Sequence, residues 1–105
     1  MLSSQLQEAV NRFAYCRACI RQGVYDITTQ RRLGNSQYYA DPTKPPTTHI
    51  GPTYVELRIW VERNKGFIME NVGARCRELY ELGEMRKEEE ANGTVHVLPI
   101  KEDSS

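Results

Sequence analysis

The sequence predicts a small two-layer α+β domain. The expected order is helix, strand, long loop, strand, helix, strand, with a three-stranded sheet and both helices on one of its faces. Three observations predict it. Residues 54–61 alternate strictly, with Val55, Leu57, Ile59 and Val61 on one side and Tyr54, Glu56, Arg58 and Trp60 on the other, the pattern of a half-buried strand. Two stretches with apolar residues at three- and four-residue steps flank it, as amphipathic helices require. At 105 residues the chain has room for one domain, taken as 1–105.

The first helix is expected over about 4–22. Ser4 and Gln7 have capping-box spacing, and Leu6, Ala9, Val10, Phe13, Cys16 and Ile20 form one stripe. Gly23 stands where a left-handed residue would end such a helix. Val24 to Gln30 then reads as an edge strand, with Tyr25, Ile27 and Thr29 on one face. Residues 34–52 hold four of the five prolines and show no periodicity, so this is a long loop, with Pro45-Pro46 extended. A loop of this length in a compact domain points to a binding loop, a hairpin tip or an arm around a neighbouring subunit.

After the strand at 54–61, Glu62 to Gly66 reads as a turn. A second helix is expected over about 66–90, with Ile68, Val72, Cys76 and Leu79 on its apolar stripe and Glu88 to Glu90 as a solvated end. Asn92-Gly93 stops it. Thr94 to Ile100 reads as a third strand, edge-placed because of Pro99, and 101–105 as a flexible tail.

The net charge of zero conceals a split. Residues 1–65 carry nine Lys/Arg and five Asp/Glu, and residues 66–105 carry five and nine, so the halves stand at +4 and −4. Between Arg12 and Leu33, five arginines (Arg12, Arg17, Arg21, Arg31, Arg32) face only Asp26. Such asymmetry suggests an anionic partner, self-association, or neutralisation of one half by the other within the fold. No apolar run reaches the about 18 residues that a membrane helix needs, and no secretory leader is seen at Met1 to Ala9. With three cysteines, an odd number, free thiols in a reducing compartment are the expectation, hence an intracellular, cytoplasmic or nuclear protein outside the membrane.

Cys16-Arg17-Ala18-Cys19 has redox-pair spacing, but both thiols sit toward the end of the expected helix, where the dipole opposes thiolate. With His49 and Cys76 they make up a Cys₃His set for zinc, weighed against small buried thiols. His96 lies between two valines and reads as a surface or hydrogen-bonded histidine. No nucleophile–base pair, phosphate loop or carboxylate cluster points to catalysis, so no enzyme and no cofactor are expected. What remains is a basic and aromatic set: Arg12, Arg17, Arg21, Arg31, Arg32, Tyr54, Arg58 and Trp60. Guanidinium groups grip phosphates, and tyrosine and tryptophan stack on bases. The first expectation is therefore a regulator that binds nucleic acid, RNA favoured over DNA. The alternative is a homo-oligomeric interaction module, dimer favoured, using the Tyr54/Trp60 sheet face and the 34–52 loop.

Overall fold

The computed structural model describes the chain from residue 4 to residue 100, and its side chains from residue 12 onward. The side chains of the expected capping box, Ser4 and Gln7, and of the apolar positions Leu6, Ala9 and Val10 lie outside the described ones, as does the tail at 101–105. The class is α+β. Helices α1 (Ser4–Arg32), α2 (Tyr54–Lys65) and α3 (Val72–Glu81) precede one antiparallel hairpin of β1 (Met85–Glu89) and β2 (Val95–Pro99).

The three-stranded sheet of the sequence reading is corrected to two strands, and two of its strands are helical. α1 does not stop at Gly23. Cys19, Ile20, Val24, Ile27, Thr28 and Arg31 are buried, a stripe that runs unbroken past the glycine. Gly23 lies inside the helix because a side chain there would meet Trp60 and Leu57, the nearest ring atom at 3.0 Å. The β-branched Thr28 fits a helix by bonding back to the Val24 carbonyl at 2.7 Å.

Residues 54–61 form most of α2. Their buried members are Glu56, Leu57, Trp60 and Val61, spaced as one helical face, so burial does not follow the alternation. Thr53 starts the helix with a capping box: its hydroxyl accepts from the Glu56 amide at 3.2 Å, and its own amide donates to Glu56 Oε1 at 2.9 Å. Gly66, in the left-handed region at φ 83°, ends it.

The expected helix over 66–90 is split. α3 keeps only its middle, burying Val72, Cys76 and Leu79, and Met85 to Glu89 is drawn into β1. The cause is the Asn92-Gly93 turn, which returns β2 along β1 in the register Glu89↔Val95. The strand expected over 94–100 is β2. Residues 34–52 form an irregular loop, as read from the prolines. The loop's last residues run beside β2, where the Val97 amide donates to the Pro52 carbonyl at 2.8 Å and Thr53 bridges His96. The core comprises Ile20, Val24 and Ile27 of α1, Leu57, Trp60 and Val61 of α2, Cys76 and Leu79 of α3, and Met85 and Val97 of the hairpin.

Among the described residues no helix is long and apolar enough to cross a membrane.

Candidate functional site

The long loop is pinned from beneath by Arg31. Its Nη2 pairs with Glu56 Oε1 at 3.0 Å, and the two side chains are 1% and 4% exposed. The same guanidinium donates to the carbonyls of Tyr38 (3.0 Å), His49 (3.2 Å) and Gly51 (3.3 Å). Glu56 Oε2 accepts from the Asp41 amide at 2.9 Å. One buried ion pair thus fixes both ends of the loop segment 38–51. A charge so deeply buried is tolerable only because nearly every donor finds an acceptor.

Fixing the loop sets its His49 over the hairpin. The His49 and His96 rings stack 3.9 Å apart at 13°. His96 is buried, and its Nδ1 lies 2.8 Å from the Gly51 carbonyl, which can only accept, so Nδ1 carries a hydrogen. Its Nε2 faces Glu90 Oε2, 2.5 Å away. Two lone pairs at that distance need a proton or a cation between them. His49 Nε2 lies 3.7 Å from the same oxygen. The hydrogen bond from His96, then the positive charges of His96, His49 and Lys44, hold the Glu90 carboxyl below its ordinary range.

One ligand atom each from His49, Glu90 and His96 falls within 4.8 Å of the others, and this is the group of that kind found among the described residues. They line a cleft of about 550 Å³ between the loop and the hairpin. Pro45, Pro46 and Val55 are among its apolar lining, and Asp41, Lys44, Thr47 and Asn92 among its polar lining. The Asp41 carboxyl is held low by hydrogen bonds from the Thr43 hydroxyl and amide.

The residues singled out from sequence are dispersed. Arg17 bonds Glu78 and Arg21 bonds Glu84, each at 2.8 Å, so part of the basic half is neutralised by the acidic half within the fold. Arg31 is the buried loop anchor. Arg12, Arg32 and Arg58 are exposed. Trp60 is 5% exposed and donates to Asp26 at 2.9 Å. Tyr54 is half-buried, with its hydroxyl 3.0 Å from that of Tyr80. Because 54–61 is helical, Tyr54, Arg58 and Trp60 do not share one flat face, which corrects the expected sheet platform. Cys16 is half-buried, while Cys19 and Cys76 are buried, and all three are free thiols. Burial raises the Cys16 thiol and pushes that of Cys76 up to about 12. His49 is not gathered with the thiols; it faces Glu90 and His96.

The sequence reads Glu90 as part of a solvated helix end and His96 as a surface or hydrogen-bonded histidine; His96 is hydrogen-bonded and buried, and neither reading joins the two. The signal that would have joined them is Asn92-Gly93, since a hairpin turn there sets the flanking residues side by side. Comparison with family models, with curated proteins and with solved structures finds no match.

Proposed function

We propose that this chain is a non-enzymatic binding protein for a first-row divalent metal ion, held by His49, Glu90 and His96. The observation that carries the reading is the convergence of two imidazole nitrogens and one carboxylate oxygen at one edge of a cleft. Two imidazoles and a carboxylate suit Zn²⁺, Co²⁺, Ni²⁺ or Fe²⁺, and three protein ligands leave a coordination position for another group. His96 is the fixed ligand: its Nδ1–H on the Gly51 carbonyl sets tautomer and orientation, as an outer partner does for metal-bound histidines. His49 and Glu90 are the adjustable ones, with side chains 35% and 33% exposed. Bonds of about 2.0–2.2 Å require ligand atoms roughly 3 Å apart with the ion in each ring plane. Loading therefore moves Glu90 back from His96 and turns His49 out of the ring stack.

Nucleic-acid binding and homo-oligomerisation have less support, because Arg17, Arg21 and Arg31 are paired with glutamates and Trp60 is buried.

Calorimetric titration with Zn²⁺ and Co²⁺ tests the reading. One ion per chain is expected, with affinity about tenfold or more weaker in His49→Ala and Glu90→Gln. The bound cobalt spectrum should lack the intense sulfur charge-transfer band. No binding, equal affinity in the variants, or a thiolate band would refute it.

A further inference from the structure

The charges lining the cleft change sign when an ion enters it. Asp41, Glu56 and Glu90 are the lining acids, and Lys44 is the lining ammonium. Arg31 cancels Glu56 through the buried pair. With both imidazoles neutral, as ligation of an ion requires, the remainder is Asp41 −1, Glu90 −1 and Lys44 +1, a sum of −1. A divalent ion at the histidines brings this to +1. A cleft focuses that field, so it repels small anions before loading and attracts them afterwards.

Resting on the metal reading above, we infer that the loaded cleft binds a small oxyanion, of the carboxylate or phosphate class, as the ion's exogenous ligand. The ammonium of Lys44 is the second contact. The ion leaves at least one position beyond His49, Glu90 and His96, and an oxygen donor is what such a site takes from solution. Lys44 stands on the loop that carries His49, so the anion bridges the loop's cation and the metal. Pro45, Pro46 and Val55 give the same cleft an apolar wall. A carboxylate with a short alkyl body fills it better than a bare one, by roughly fourfold for each methylene buried. Phosphate has a third oxygen for Lys44 but nothing for that wall. Metal and anion are then coupled: each tightens the other by the same factor, because the coupling free energy is shared.

The experiment is a titration of the cobalt-loaded full chain with sodium acetate, sodium butyrate and inorganic phosphate, followed in the visible ligand-field bands. Saturable band shifts are expected, with butyrate binding several-fold tighter than acetate. Preference for phosphate over butyrate would assign the site to phosphate-bearing ligands and discard the role of the apolar wall. Lys44→Gln should weaken anion binding about fivefold or more, while cobalt affinity measured without anion does not fall, because a cation beside the ion is removed. Butyrate should raise cobalt affinity by the factor by which cobalt raises that of butyrate. Ligand-field bands that form but ignore every anion, or anion binding equal in Lys44→Gln and the parent, overturn the inference and leave the metal site standing. Failure to form cobalt bands at all overturns both.

Discussion

Replacing Arg31 by methionine removes the charge that anchors the long loop while keeping the length of the apolar stem. The substitution leaves Glu56, whose side chain is 4% exposed in the parent, with only the amides of Thr53 and Asp41 as partners. Breaking a buried pair by deleting one partner costs about 3–5 kcal/mol, because the survivor remains uncompensated. Beyond this, the carbonyls of Tyr38, His49 and Gly51 lose the guanidinium as donor. The Tyr38 and His49 carbonyls are only part-buried and find water, and that of Gly51 keeps the His96 Nδ1–H, so they add roughly 1 kcal/mol or less apiece. The expected loss is about 4 kcal/mol, a large share of the 5–15 kcal/mol typical of a domain this size. Urea unfolding measures it: with a slope near 1.5 kcal/mol per molar, the midpoint falls by roughly 2–3 M. Amide exchange should speed up over residues 38–51 well before the core opens. Arg31→Lys keeps the charge but not the fork, and should fall between the parent and Arg31→Met. A loss below about 1 kcal/mol, or unchanged exchange in the loop, would refute the account of Arg31 as anchor.

Two further outcomes follow from local geometry. Gly51→Ala sets a Cβ 2.6 Å from the Val97 carbonyl oxygen and 2.9 Å from Leu98 Cγ, and backbone oxygen cannot swing aside as a side chain does. A loss of about 2 kcal/mol is expected, seen as a fall of roughly 10 °C in melting temperature, together with weaker zinc binding because the His96 acceptor is displaced. The second concerns alkaline pH. Burial pushes Cys76 from 9.0 up to about 12, and the bond from the Tyr38 hydroxyl to Asp26 pushes Tyr38 from 10.0 up to about 12. Both groups keep their protons longer folded than unfolded, so stability is full below pH 9 and falls as pH rises toward 12. The Cys76 contribution is about 1 kcal/mol per pH unit. Guanidinium unfolding between pH 8 and 11 should show this decline, less steep in Cys76→Ala; a flat profile would contradict it.

The sequence carried the class, the irregular stretch at 34–52 and β2 better than it carried helix against strand. Residues 54–61 fit two templates at once: Val55, Leu57, Ile59 and Val61 alternate, while Leu57, Trp60 and Val61 fall on a helical face. β-Branched residues tilt a local reading toward strand, yet Thr53 and Glu56 already had capping-box spacing ahead of the apolar run. Similarly, a glycine at position 23 resembles a terminator by propensity. Its true role depends on Trp60, 37 residues later, whose ring needs the space. Tertiary packing overrides a cost of about 1 kcal/mol at a helical glycine, and no local pattern shows the packing.

The candidate site was illegible for a related reason. It is assembled by three segments that meet through backbone rather than through a motif. Arg31 sets the loop, the Pro52 and Thr53 backbone aligns the end of that loop with β2, and the hairpin turn sets Glu90 against His96. His49 and Glu90 are 41 positions apart, so their approach depends on every one of these joints. The arginines that looked like a phosphate grip are explained by the same assembly. Arg17 and Arg21 hold the acidic half to α1, and Arg31 spends its donors on the loop that brings His49 into place. A sequence shows that a charge is present but not whether it faces solvent, and here the burial of one arginine decides where a histidine stands. The link can be measured directly. If Arg31 sets the position of His49, then Arg31→Lys should weaken zinc binding although residue 31 touches no ligand atom, and the lost affinity should track the loosening of residues 38–51.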